Sequence, residues 1–290
     1  MLVEKKIFHV GDYQTQLGEH IPNVAFGYET YGELNAKRDN AILLPHYFSG
    51  SSHAAGKYKN SDAEAGYWDA LIGPGKAIDT NTFFVIGVDC LNNINGFNPN
   101  VHSTGPTTIR PTGKPWGMAF PDLTTVDLVN VQKPLLDSLG IEKLYAAIGA
   151  SGGSIQSMQW AATFPACVER VIAVVPPGIR LSEYTSAIVE MWTAPIKVDA
   201  NWCDGGYYDS AFPEKGLDAS LRLITINGLH YRMASKLFPI EDVKQEAGKG
   251  SRHLQSETGF MDYIHAFCDQ RKVGIDPNAI IKLADTLQTF

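Results

Sequence analysis

No apolar run in the 290 residues is long enough to span a membrane, and the opening Met1-Leu-Val-Glu-Lys-Lys lacks the apolar core of a signal peptide. Basic tracts are also missing. Lys and Arg number 24 against 31 Asp and Glu, a formal net charge of −7, which argues against nucleic acid as a partner. Cysteine is scarce, and Cys90, Cys167, Cys203 and Cys268 are scattered without C-x-x-C spacing, so neither a zinc site nor a disulfide framework is expected. Free buried thiols in a reducing cytoplasm fit that usage. Internal repeats and low-complexity segments are absent as well. What remains is an ordinary globular composition, 44% hydrophobic and 19% charged. The length suffices for a full core, as one α/β domain with an insertion or as two domains.

Chemistry points first to Leu144–Trp160. An apolar run of strand formers, Leu144 to Ile148, meets Gly149-Ala-Ser-Gly-Gly153, and helical apolar spacing follows at Ile155, Met158 and Trp160. This is G-x-S-x-G between a strand and a helix, the setting of a nucleophile elbow. Only small residues fit beside the serine in such a turn, which accounts for Gly149 and Gly153. The turn leaves the Ser151 hydroxyl above the sheet, at the positive end of the following helix. The competing reading is an ordinary glycine-rich turn between a strand and a helix.

From the N-terminus, Val24–Tyr31 partly alternates as a half-buried strand and stops at Gly32. Ala41–Leu44, Phe83–Val88 and Val171–Val175 read as strands covered on both faces. The loop from Pro45 to Gly56 is dense in small residues. In folds built on an elbow, a loop after an early strand supplies one backbone N–H to the oxyanion, and Phe48 or Ser49 is the candidate. His46 and His53 in that loop read as structural rather than as a catalytic base. Leu91 to about Pro121 is a long polar segment rich in Gly, Pro and Asn. A helix follows, capped by Thr124 or Thr125, with Asp127 in its first turn, a kink at Pro134 and an end at Gly140. Strands alternating with helices imply a parallel sheet wound on both faces. After Pro177 the patterns turn helical: Ser182–Trp192, Leu217–Leu237, Gly259–Asp269 and Pro277–Thr289, with Trp202–Tyr208 as a loop.

Several stretches, taken together, are specific: Tyr28-Glu-Thr-Tyr-Gly32, the His46–Gly56 loop, Trp68–Thr80 with its Gly73-Pro-Gly-Lys-Ala-Ile-Asp-Thr80, Phe120–Asp127, and the elbow. Over nearly the whole chain they resemble the homoserine O-acetyltransferase family of α/β-hydrolase-fold acyltransferases. The resemblance implies an α/β-hydrolase fold: a mostly parallel, doubly wound sheet as core (residues 1–176), a helical lid region (177–290), and a chain that stops before the last core strands. It implies ping-pong transfer of an acetyl group from acetyl-CoA to a hydroxyl-bearing amino acid such as homoserine. Acetyl-CoA is then a co-substrate; no bound cofactor and no metal are expected, and neither nucleic acid nor a membrane is a partner. Ser151 becomes the nucleophile, the backbone N–H groups of Gly152 and Phe48 the oxyanion hole, and Arg222 the grip on the acceptor carboxylate. A cytoplasmic homodimer is expected. Typical members carry a methionine after the nucleophile and an Ala-Leu-Thr-like loop after the histidine, where this chain has Gly152 and Tyr47-Phe48-Ser49. The family's triad acid and base follow late strands, and no such strand is legible after Val175. His230, His253 and His265 fall in or beside helical patterns and read as packing or surface residues. An esterase on the same scaffold, in which water replaces the acceptor, and a non-catalytic binding remnant are the alternatives.

Overall fold

The structure is a computed structural model that describes residues 1–237 and 259–290. Strands β1 (Lys6–Gln14), β2 (His20–Tyr31) and β3 (Ala41–Pro45) open the chain. β4 (Ile72–Gly73) and β5 (Ile78–Asp79) make a short parallel pair of their own, followed by β6 (Phe84–Val88), β7 (Ala146–Ala150) and β8 (Val171–Val174). The main sheet runs β1-β2-β6-β3-β7-β8. The β1–β2 and β2–β6 pairings are antiparallel, while β6, β3, β7 and β8 are mutually parallel.

β3 sits near the middle of this order, and its sequence shows why. Every one of its residues is buried, although successive side chains go to opposite faces of the pleat. Leu43 joins Phe26, Ile86, Ala147 and Trp160 on one face; Ile42 and Leu44 join Tyr31, Val85 and Ile148 on the other. A strand with two covered faces must be apolar throughout, so Ala41-Ile-Leu-Leu44 admits no polar member.

The helix expected from Thr124 to Gly140 is in fact two, α1 (Thr125–Asn130) and α2 (Lys133–Ser138). Pro134 has no N–H to give and its ring clashes with the carbonyl four residues back, at Asn130, where α1 ends. Thr124 is the N-cap, in a reciprocal capping box with Asp127. The Asp127 side chain does more than cap: it is fully buried and also accepts from the Tyr13 hydroxyl at 2.7 Å and the Gln16 N–H at 2.8 Å. α3 (Gly152–Thr163) packs through Trp160, whose indole donates to Gln132, which donates in turn to Gln156.

Two expectations need correction. Val171–Val175 reads as a strand buried on both faces, but β8 is the sheet's edge, with Ile172 48% and Val174 40% exposed. An apolar run carries no mark of whether a further strand lies beside it. The second concerns the boundary at 176/177. The chain divides into one unit of Met1–Val189 with Gly274–Phe290 and a second of Glu190–Val273. α4 (Glu183–Val198) crosses from one to the other. The last helix, α8 (Pro277–Leu287), therefore belongs with the sheet and not with a lid. It is buried on almost every side, its Lys282 ammonium pairs with Asp122 at 2.6 Å, and the Thr289 hydroxyl accepts the Thr125 N–H at 2.9 Å. A helix buried all round is a core element. The second unit holds α5 (Glu214–Asn227), α6 (Tyr231–Leu237) and α7 (Gly259–Arg271). The helix expected over Leu217–Leu237 is divided at Gly228, and Trp202–Tyr208 forms short 3-10 turns rather than plain loop. No helix among the described residues is long and apolar enough to cross a membrane. The four cysteines are free; Cys90 and Cys268 are buried, whereas Cys203 is exposed, contrary to the expectation of buried thiols throughout.

Candidate active site

Ser151 sits at φ 52° and ψ −118°, between the end of β7 and the start of α3. A β-carbon-bearing residue held there costs on the order of 1–3 kcal/mol, and such strain collects at functional sites. The two flanking glycines make the turn possible. A Cβ on Gly149 would lie 2.2 Å from the Gly153 carbonyl oxygen, and one on Gly153 would lie 2.2 Å from that of Pro45. Both contacts are with backbone, so neither can give way. The Ser151 N–H donates to the Val174 carbonyl at 3.0 Å, which ties the elbow to β8. The side chain itself is exposed, while Ser154 and Ser157 are buried and donate to the carbonyls of Ser151 and Gly153. At the first position of α3, the Gly152 N–H has no intrahelical acceptor.

The loop after β3 reaches this point. The Phe48 backbone nitrogen lies 3.2 Å from where a Cβ on Gly152 would stand, and the Leu287 side chain lies 3.5 Å from it. The two expected oxyanion donors are thus neighbours, and the absence of a side chain at Gly152 leaves them room. His46 is buried and engaged at both ring nitrogens: Nδ1 with the Tyr47 carbonyl at 2.7 Å, Nε2 with the Cys90 N–H at 3.1 Å and the Asn93 amide at 3.0 Å. Asn93 and Asn95 both donate to the Gly50 carbonyl.

Further along the loop a buried ionic cluster takes over. Glu29 on β2 meets Lys5 at 3.0 Å, His53 Nδ1 at 3.0 Å, and the hydroxyls of Tyr31 and Tyr58 at 2.8 and 2.7 Å. Lys5 also reaches Asp89 at 3.4 Å and bonds the Ser52 hydroxyl. Asp89 accepts the Ser52 N–H, and the Tyr31 hydroxyl accepts those of Ala54 and Ala55. Beside the loop lies a cleft of ≈ 160 Å³, lined by Tyr47, Ser49, Ser51, His53, Tyr67 and Asn95 among others. Burial alone would raise the Glu29 carboxyl, but the His53 hydrogen bond, the Lys5 charge and the Tyr58 hydroxyl outweigh it and hold it below its ordinary value. A lowered carboxyl contributes stability that is fully present above the ordinary glutamate value, about 4.3, and is lost as pH falls through the folded-state value. Melting points measured from neutral to acid pH should therefore fall less steeply for Glu29→Gln than for the parent, from a lower neutral start. Parallel curves for the two proteins would remove the role given to Glu29.

His46 and His53 are thus structural members of the loop, in line with their sequence reading. Arg222 lies on α5, in the second unit, paired with Asp218 one turn earlier; its Nε has no partner among the described residues. His230 and His265 belong to that unit too, and His253 lies outside the described residues. Within the sheet-bearing unit, no imidazole or carboxylate bonds to the Ser151 hydroxyl among the described residues. Among those residues no three metal-ligating side chains converge. Sequence reading missed the Lys5–Glu29–Asp89 cluster. A signal existed: Glu29 alternates with Tyr31 and Gly27 on one face of β2, and all three are buried.

Residues 40–258 match the family model described as the alpha/beta hydrolase fold. A crystal structure of esterase E22 superposes with a TM-score of 0.91 at 44% identity, covering 100% of this chain and 78% of that one. The homoserine O-acetyltransferase of Bacillus anthracis gives a TM-score of 0.89 at 37% identity, covering 99% and 76%. The chain belongs to the homoserine O-acetyltransferase family, on the α/β-hydrolase fold. Among sequences, the homoserine O-acetyltransferase of Carboxydothermus hydrogenoformans is 40% identical over 226 residues, which is 78% of this chain and 58% of that protein. That of Deferribacter desulfuricans is 42% identical over 207 residues, 71% of this chain and 53% of the other. The chain thus spans little more than half the length of these relatives of the homoserine O-acetyltransferase family.

Proposed function

We propose that the chain carries out acyl transfer through Ser151, moving an acetyl group from acetyl-CoA to the hydroxyl of homoserine or a similar amino acid. The observation that carries this reading is the meeting of Phe48 N and Gly152 at an elbow whose exposed serine is held at φ 52°. In the first half-reaction Ser151 Oγ attacks the thioester carbonyl, the carbonyl oxygen becomes an oxyanion, and collapse breaks the C–S bond so that CoA leaves as its thiol, taking up the proton that Ser151 gave up. In the second, the acceptor hydroxyl attacks the acetyl-serine ester and restores Ser151. Backbone N–H groups aimed at the oxyanion act only where charge develops, and losing one such donor costs about 2.7–4 kcal/mol elsewhere. Arg222 would hold the acceptor carboxylate. The product is an O-acetylated amino acid for methionine biosynthesis, made in the cytoplasm by a dimer of this chain.

A ping-pong scheme separates the half-reactions, and that supplies the test. Acetyl-CoA consumption should depend on homoserine, and Arg222→Ala should raise the acceptor KM by roughly tenfold or more while leaving acetylation of Ser151 unchanged. Equal losses in both half-reactions would give Arg222 a packing role instead. A second reading, hydrolysis with water as acceptor, is favoured by the 44% identity to esterase E22. It differs by whether water is kept from the acyl-enzyme. Thioester loss at the same rate with and without homoserine would establish it, and no consumption at all would leave a binding protein without turnover.

A further inference from the structure

We infer that His46 is a positioning residue that aims the Phe48 N–H at the oxyanion by holding the carbonyl at the other end of the same peptide unit. The inference rests on the acyl-serine reading above and deepens it.

Cys90 N–H can only donate, and it faces His46 Nε2 at 3.1 Å, so Nε2 is the acceptor and the ring proton is on Nδ1. The Asn93 amide, 3.0 Å from Nε2, is the second donor to it. Nδ1–H then donates to the Tyr47 carbonyl at 2.7 Å. The same carbonyl accepts the Gly50 N–H at 2.8 Å. Tyr47 C=O and Phe48 N–H belong to one planar, trans peptide, so the two bonds point in opposite directions. Two donors that fix the carbonyl also fix where the N–H points, and by polarising the amide they make it a better donor. Its nitrogen lies beside Gly152, the other expected donor.

The ring is itself held rigidly. Asn93 donates both to His46 Nε2 and to the Gly50 carbonyl at 3.1 Å, so one buried amide anchors the chain on either side of the Tyr47–Phe48 peptide. Asn95 Nδ2 adds bonds to the Gly50 carbonyl and to Asn93 Oδ1. Burial lowers the His46 pKa and outweighs the opposite pulls of the Tyr47 carbonyl and Asp89, with Lys5 adding the smallest downward push, so the neutral ring is favoured. A proton on Nε2 would face the Cys90 N–H and break the chain of bonds.

The two amide side chains separate these functions. Asn places an N–H near the position of imidazole Nδ1, and Gln reaches the position of Nε2. His46→Ala should slow acetylation of Ser151 by p-nitrophenyl acetate roughly 100-fold, the scale of a misplaced donor. His46→Asn should recover most of that rate, although its contacts to Cys90 and Asn93 are lost. His46→Gln should melt nearer to the parent and acetylate as slowly as the alanine variant. A merely structural histidine would rank the variants identically in melting and in acetylation, and that result would overturn the inference. The parent protein gives a second readout that needs no variant. Nitrogen NMR of the imidazole should show Nδ1 protonated and Nε2 bare, persisting below about pH 6.5, the ordinary imidazole value. An Nε2-protonated ring would equally overturn it. Ser151→Ala serves as the control: acetylation surviving in it would sink the acyl-serine reading, whereas equal rates in the parent and His46→Ala would sink only the role of His46.

Discussion

A fluorophosphonate offered to a form of the protein whose triad is complete should be found on Ser151 alone, and Ser151→Ala should abolish the label. The hydroxyls of Ser154 and Ser157, three and six residues on, are poor rivals. Both side chains are 0% exposed, and each already donates to a carbonyl of the elbow, at 2.5 and 2.9 Å. Ser151 alone is exposed at the head of α3, beside Gly152 and the Phe48 nitrogen, where a tetrahedral adduct's anionic oxygen meets the positive end of a helix. In a hydrolase with an intact triad, losing the nucleophile costs about a millionfold in rate. Peptide mass spectrometry finding the label on Ser154 or Ser157 would overturn the assignment. Parent and variant should melt within about 1 kcal/mol of each other, because the lost hydroxyl makes no hydrogen bond among the described residues while the Ser151 N–H keeps its bond to Val174.

How much of this was legible in the sequence follows from how local each feature is. The elbow was readable because its motif lies within five residues, Gly149 to Gly153, although only one of the two 2.2 Å backbone contacts that require the glycines is inside the turn and the other is to Pro45. β3, β6 and β7 were readable because a strand with two covered faces can only be apolar. β8 looked the same in sequence, since Val171-Ile-Ala-Val174 cannot report the absence of a neighbour on its far side. α8 was read as lid because its helical pattern says nothing about which surface it meets. The cluster around Glu29 joins residues 5, 29, 53 and 89, four stretches brought together only by the β2–β6 pairing and the loop after β3. His46 was read as structural, and so it is. Its consequence for Phe48 depends on a carbonyl–amide relationship that side-chain identities do not show.

Turnover by the 290 residues alone should be slow, about a millionfold below that of an enzyme with its full triad. A serine hydroxyl is a poor nucleophile at neutral pH unless a base takes its proton. In this fold the acid and base follow the serine in chain order. After β8 the described residues contain no further strand. No histidine of the sheet-bearing unit bonds to Ser151 among the described residues: His9 and His20 lie on the β1–β2 hairpin, His46 uses both nitrogens, His53 is bound to Glu29, and His102 follows β6 with its backbone N–H on Asp89. The buried carboxylates beside the loop are also taken, Glu29 by Lys5, His53, Tyr31 and Tyr58, and Asp89 by Ser52, His102 and Lys5. Oxyanion donors and binding remain, and these preserve a residue of catalysis when triad members are lost. Two measurements separate this state from a complete site. The acetylation rate should lack the sigmoidal rise of a titrating imidazole between roughly pH 6 and 8. Added imidazole should accelerate it in proportion to concentration, by taking the Ser151 proton from solution. A rise with an apparent pKa near 6.5, or indifference to imidazole at an already high rate, would show that a histidine of this chain reaches Ser151.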